Sequence, residues 1–176
     1  LLGDSRPWVC GRASGRVLEL GIGTGLNVRH YPAGVTLTGV DWSSAMLQKA
    51  SDAAARLGVH LDTKQADACA LPFADASFDT VLATYVLCSV PSLAGALGEA
   101  RRVLKPGGRL LLADHVAPPN PVLRLGARLL EAVTGPAHGE FFTRRPRDLL
   151  AASGFEIVAS ERAHHGVIER VDAVAR

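Results

Sequence analysis

Cysteine is scarce in this 176-residue chain: Cys10, Cys69 and Cys88 stand far apart and form no C-x-x-C pair. An odd, scattered set excludes a disulfide framework and carries no zinc signature. It suits a reducing compartment, so a cytoplasmic location is expected. Charge of one sign is also thin. Lys+Arg at 19 against Asp+Glu at 17 leaves a formal +2, and no block of like charges runs past three residues. A nucleic-acid partner needs a denser basic stripe and is set aside. Long apolar runs are missing too. The longest uncharged stretch, residues 80–98, contains Pro91, Gly95 and Gly98 and reads as strand, loop and helix start, not as a membrane span. No positively charged segment leads into an apolar core at the beginning, so no secretion signal is expected. The chain opens on Leu1 and not on Met, which leaves room for native residues upstream. Repeats and low-complexity tracts are absent. Hydrophobic residues at 48% against 20% charged give the balance of a globular chain of one domain. Arginine abounds over lysine, a composition of GC-rich bacterial genomes that says nothing about mechanism.

What is present is an alternation of strand-like and helix-like segments. Residues 16–20 form a short apolar strand running into Gly21-Ile22-Gly23-Thr24-Gly25, and residues 36–40 a second strand ending at Asp41. Ser43 or Ser44 caps a helix through Arg56 that Gly58 closes. Residues 59–65 alternate as a third strand, and 80–85 are continuous enough for a buried central strand of a parallel sheet. A helix over 93–104 is stopped by Pro106-Gly107-Gly108, and 109–113 make a fifth strand. A break at Pro118, Pro119 and Pro121 precedes an amphipathic segment, 122–133. A helix over 147–153 ends at Gly154; strands over 155–160 and 167–174 follow, joined by a loop with His164-His165. This pattern predicts an open α/β sheet with helices on both faces, whose ligands lie beyond the carboxyl ends of the strands.

Chemistry concentrates at those strand ends. Gly21, Gly23 and Gly25 allow a tight turn with positive φ and close approach of a ligand to the backbone. No G-K-[ST] follows, which excludes a P-loop, and Leu26 stands where a dinucleotide fingerprint has its third glycine. Asp41 can accept two hydrogen bonds from ribose hydroxyls, with Trp42 offering a flat face to an adenine; the plain alternatives are a helix cap and a core residue. Asp67-Ala68 supplies a carboxylate and a backbone N–H, the pairing an adenine edge needs. Glu19 is acidic where a parallel strand prefers an apolar residue, which calls for a polar partner: a cofactor amino group, or a buried pairing with a backbone N–H. Asp75 and Asp79 flank a turn and are expected to serve it.

The segments 17–25, 39–41, 71–79 and 104–110 (VLELGIGTG, GVD, LPFADASFD and LKPGGRL) together resemble a class I S-adenosylmethionine-dependent methyltransferase. The branch they look like is that of small-molecule and ubiquinone or menaquinone methyltransferases. The resemblance implies a Rossmann-like, mostly parallel seven-stranded sheet with helices on both faces and an antiparallel last strand. It implies one domain: the remainder of an N-terminal helical cap over 1–15, a cofactor-binding half over 16–115, a substrate-side insertion over 116–146, and a final helix and strand hairpin over 147–176. By the same transfer the cofactor S-adenosylmethionine has its methionine end against Gly21, Gly23 and Gly25, with Glu19 near its amino group. Its ribose lies on Asp41, its adenine between Trp42, Met46, Asp67 and Ala68, and Thr84 and Tyr85 face the sulfur. More narrowly, Leu87-Cys88-Ser89-Val90, Asp114-His115-Val116 and residues 139–144 resemble the group that includes alkyl-thiol methyltransferases.

Methyl transfer needs alignment more than acid–base chemistry. A thiol acceptor is partly ionised at neutral pH; a hydroxyl or carbon acceptor needs a base. His115, at the end of the fifth strand, is the candidate base, with Tyr85 as the second catalytic candidate and Asp114 as an orienting group. His138, Glu140 and Arg144 are candidates for an acceptor pocket, and no metal is expected. The segment 122–133 reads as a helix packed on the sheet, with a lid over an apolar acceptor or a membrane-surface helix as alternatives. The expectation is therefore a methyltransferase acting on a small, partly apolar acceptor: a thiol, or a quinone, phenol or lipid headgroup. Its rivals are a non-catalytic S-adenosylmethionine-binding module and an NAD-dependent oxidoreductase.

Overall fold

Seven strands form one sheet in the computed structural model, which describes residues 5–117, 120, 125–126, 144–163 and 166–176. They are β1 (Arg16–Leu20), β2 (Thr36–Asp41), β3 (Leu61–Gln65), β4 (Phe78–Thr84), β5 (Leu104–His115), β6 (Phe155–Ala163) and β7 (Ile168–Ala175), in the order β3-β2-β1-β4-β5-β7-β6. Neighbours from β3 to β5 pair in parallel, while β7 runs antiparallel between β5 and β6. The helices are α1 (Ser5–Cys10), α2 (Ser44–Leu57), α3 (Leu93–Val103) and α4 (Pro146–Leu150). This is the Rossmann-like, mostly parallel architecture that the sequence implies.

The period of two in each strand divides the core between two faces. Leu18, Leu20, Val81, Ala83, Leu110 and Leu112 pack toward Ala96, Leu97 and Ala100 of α3. Val17, Leu82, Leu111 and Ala113 point the other way, with Val9 and Cys10 of α1, Ala54 of α2 and Val28 from the short turn between β1 and β2. Each buried leucine contributes about 1.5–3 kcal/mol of transfer free energy, so the central strands hold the site's frame rigid. β3 at one edge is largely exposed, and there charged side chains replace the apolar run.

Helix α2 follows the sequence closely. Ser43 Oγ accepts the Met46 N–H at 3.4 Å, and Gly58 closes the helix in the left-handed conformation at φ 66°. β5 differs: it begins at Leu104, whose buried side chain carries the chain straight from α3 into the sheet. Leu104 pairs with Phe78 and Arg109 with Thr80, so Lys105 to Gly108 form a bulge and not a helix stop. β3 starts only at Leu61, because the residues after Gly58 complete the turn. β6 extends to Ala163, its added length held by Arg170–Glu161 at 2.9 Å and Arg162–Glu169 at 3.2 Å. Asp79 does not serve its turn: it ties strands, accepting the Arg16 N–H at 2.8 Å and Lys105 Nζ at 2.6 Å. Most of segment 122–133, and His138, Glu140, His164 and His165, lie outside the described residues. Among the described residues no helix is long and apolar enough to cross a membrane.

Candidate active site

β2 and β4 leave β1 on opposite sides, and a cavity of about 610 Å³ opens where the carboxyl ends of these strands diverge. Gly21 and Gly23 form its floor after β1. Val40, Asp41, Trp42 and Met46 line it from β2 and α2, and Ala66, Asp67 and Ala68 from the turn after β3. Tyr85, Val86, Ser89, Val90 and Pro91 close the side after β4.

The glycines divide the work. Gly21 sits at φ 59°, and a Cβ there would lie 2.3 Å from Val86 Cγ2; the turn has no room for a side chain. At Gly23, φ 57°, the nearest atom to such a Cβ is the Gly21 carbonyl at 4.0 Å, so the backbone is bare toward the cavity. Gly25 is placed differently from these two. It does not line this cavity: its missing side chain lets α2 approach, with Ala50 Cα 3.0 Å from a Cβ position. It faces instead an outer cleft of about 350 Å³ with Thr24, Leu26, Lys49 and Arg56.

Asp41 braces the turn. Its Oδ2 accepts the Gly23 N–H and its Oδ1 the Ser43 N–H, both at 2.9 Å. Trp42 is 74% exposed on the cavity wall, its carbonyl accepting from Gln65 Nε2 at 2.9 Å. Asp67 Oδ1 accepts the Cys69 N–H at 2.8 Å, which holds the Asp67–Ala68 turn.

Glu19 and Thr84 lie behind the glycine turn, not on the cavity wall. The alternation of β1 puts Glu19 on the α1 side, where it is 1% exposed and accepts from Asn27 Nδ2 at 2.7 Å and Tyr31 Oη at 2.8 Å. Burial pushes its carboxyl up to about 7, against the lowering effect of those two donors and of Arg6. Thr84 Oγ1 accepts from Asn27 Nδ2 at 2.9 Å and Arg6 Nη1 at 3.3 Å. Within the protein, among the described residues, the hydrogen-bond partners of Glu19 are thus side chains and not a backbone N–H. Arg6, Asn27 and Tyr31 had no signal in the sequence; only the register of β1 brings them to Glu19.

Tyr85 adopts φ 56°, rare for a bulky residue and characteristic of functional strain. Its buried hydroxyl lacks a hydrogen-bond partner among the described residues. Its ring lies 5.1 Å from that of His115 and 5.3 Å from the Arg6 guanidinium. His115 therefore packs behind Tyr85 and is not itself on the cavity wall. The Asp114 carboxylate accepts the Leu87 N–H at 2.7 Å and the His115 backbone N–H at 2.8 Å. Burial raises its carboxyl, against these donors and the Cys88 thiol. Cys88, Asp114 and His115 bring three ligand-type atoms within 4.8 Å of one another, a grouping that the separate residues did not announce.

The family model for the methyltransferase domain matches residues 18–112, from β1 through most of β5. The chain belongs to this family. The chain is 38% identical over 105 residues to phosphatidylethanolamine N-methyltransferase of Cereibacter sphaeroides, covering 58% of this chain and 52% of that protein. It is 41% identical over 120 residues to the human thiol S-methyltransferase TMT1B, covering 61% of this chain and 46% of that one. The crystal structure of YcgJ from Bacillus subtilis superposes with a TM-score of 0.73 at 24% identity, over 98% of this chain and 94% of that one, a likeness of fold. The chain spans about half the length of the curated relatives it matches.

The cofactor of this family is S-adenosylmethionine. The site fits it: a bare glycine backbone at Gly23, an exposed indole at Trp42 and an orphaned hydroxyl at Tyr85 face or border one cavity. Dinucleotide binding has no support in this family, so the oxidoreductase reading is dropped.

Proposed function

We infer that the methyltransferase alkylates a small, partly apolar acceptor, with a thiol first among the candidates. The observation that carries this is the single cavity uniting Gly21, Gly23, Asp41, Trp42, Met46, Asp67, Ala68 and Tyr85. When bound, S-adenosylmethionine supplies an electrophilic methyl group on a sulfonium and leaves as S-adenosylhomocysteine after in-line displacement by the acceptor's lone pair. Asp41 and the Gly21–Gly23 turn hold the ribose and methionine portions; Trp42, Met46 and Ala68 enclose the adenine, and Asp67 accepts from its amino group. Glu19 acts at one remove, fixing Asn27 and Tyr31 behind the glycine turn. Thr84 and Gly25 likewise support the turn.

On the acceptor side, Tyr85 presents its ring and hydroxyl and His115 stands behind it. A thiol needs only alignment and exclusion of water, which apolar Val86, Val90 and Pro91 supply. A hydroxyl acceptor needs its proton removed, and His115 is the group to take it, through a shift of Tyr85 or a bridging water. The two relatives named above divide on this point, one named for a lipid amine and the other for a thiol. Release of S-adenosylhomocysteine is therefore measured with a small alkyl thiol, a quinol, a phenol and phosphatidylethanolamine in parallel. Turnover with the thiol alone supports the reading. Turnover with another acceptor moves the substrate class, and binding without turnover of any acceptor favours a non-catalytic binding module.

A further inference from the structure

The cavity wall after β4 is a turn held from two sides. Within it the Val86 carbonyl accepts both the Ser89 N–H and the Ser89 hydroxyl at 2.9 Å. On one side Asp114, at the end of β5, accepts the Leu87 N–H at 2.7 Å. On the other, Arg144 Nη1 donates to the Leu87 carbonyl at 3.0 Å and the Val90 carbonyl at 2.6 Å. Leu87 is 1% exposed and Val90 5%, so neither carbonyl has ready access to water as a substitute donor. Arg144 does not line the cavity; it comes from the stretch between β5 and α4, far along the chain from the turn it holds.

We propose that Arg144 is a positioning residue for the methyl-transfer site: its guanidinium staples the 87–90 turn and so fixes the wall formed by Val86, Ser89, Val90 and Pro91. The proposal rests on the reading that this cavity holds S-adenosylmethionine. Two carbonyls three residues apart converge on one donor only while the turn is closed. Loss of that donor frees the turn to relax away from β1. Val86 Cγ2 sits where a Gly21 side chain would be, so the glycine turn then loses the neighbour that packs against it. Both carbonyls accept from the one Nη1, whose two hydrogens lie in the guanidinium plane; a lysine keeps the charge, but its shorter side chain and tetrahedral ammonium do not reproduce that placement.

The test titrates S-adenosylhomocysteine into wild type, Arg144→Met and Arg144→Lys by calorimetry and follows amide hydrogen exchange in each. Affinity is expected to weaken about tenfold in Arg144→Met and about threefold in Arg144→Lys, as loss of one charged donor implies. Exchange is expected to rise at the amides of Leu87 and Ser89, with β1 and β2 unchanged. Affinities within twofold of wild type overturn the proposal. Exchange rising evenly across the sheet also overturns it, because Arg144 would then serve global stability alone. Should Arg144→Met fail to fold, the lysine variant carries the same decision. A wild type that binds no S-adenosylhomocysteine removes the cavity reading, and this proposal with it.

Discussion

Asp41 Oδ2 accepts the backbone N–H of Gly23 at 2.9 Å, so the end of β2 and the glycine turn after β1 are one mechanical unit. The carboxylate that is to receive a ribose also fixes the loop that is to receive the methionine portion. Its second oxygen caps the approach to α2 through the Ser43 N–H.

Replacing Asp41 removes both functions. Asp41→Ala is expected to weaken S-adenosylhomocysteine binding by about 1.5–3 kcal/mol, the range for hydrogen bonds to a charged group. Calorimetric titration at fixed pH reads this directly. An unchanged affinity removes Asp41 from the site.

The two cavity glycines should respond differently to a methyl group. Gly21→Ala places a Cβ 2.3 Å from Val86 Cγ2 in a left-handed residue, so the fold itself should suffer and Tm should drop clearly. Gly23→Ala meets no atom closer than 4.0 Å and costs only the left-handed strain, about 1–2 kcal/mol. Its penalty should appear in cofactor affinity, since the new methyl enters the cavity. Thermal melts with and without S-adenosylhomocysteine separate the two.

Glu19 gives the chain a pH signature. Its carboxyl stands at about 7 in the fold against an ordinary 4.5. Between those values the folded chain keeps a proton that the unfolded chain releases. Stability therefore falls as pH rises from 4.5 to about 7 and levels off above, a loss of order 3 kcal/mol from this group. Glu19→Gln should flatten that portion of the curve in denaturant titrations. At acid pH, where the folded Glu19 carboxyl is itself protonated and the neutral amide nearly matches its shape, the substitution should leave stability close to wild type. A slope that survives the substitution assigns it to another group.

His115 tests the acceptor. With a phenol or quinol, His115→Ala should lower turnover by about 100-fold or more, the usual contribution of a general base. With a thiol, already partly ionised, the loss should stay under about tenfold. Equal losses with both acceptors assign His115 to holding Tyr85, 5.1 Å away, and not to proton transfer.

Local chemistry was legible in the sequence and long-range pairing was not. β1 at Arg16–Leu20 and the Ser43 and Gly58 ends of α2 follow from an apolar run and two capping residues. The G-x-G-x-G spacing marks the turn but cannot say which glycine faces a ligand. Gly25 turns out to serve helix packing, because α2 folds back onto it. Glu19 stands out as an acid in a core strand, yet its partners Asn27 and Tyr31 come from the turn after the glycines. The bulged start of β5 escaped because proline and glycines after Leu104 signal a stop, while only the partner strand shows that Leu104 pairs with Phe78. The Asp114 and Arg144 holds on Leu87 join residues 27 and 57 positions apart, a relation that no local pattern carries.

The central claim is that one cavity, between the ends of β1, β2 and β4, holds S-adenosylmethionine. Amide and indole shifts in 15N–1H spectra during titration with S-adenosylhomocysteine test it most directly. The account predicts saturable changes at Gly21, Gly23, Asp41, Asp67, Ala68 and Tyr85 and at the Trp42 indole, with little at Lys49 and Arg56. Changes gathered instead around the outer cleft of Thr24, Gly25, Lys49 and Arg56, or none at all, would contradict it.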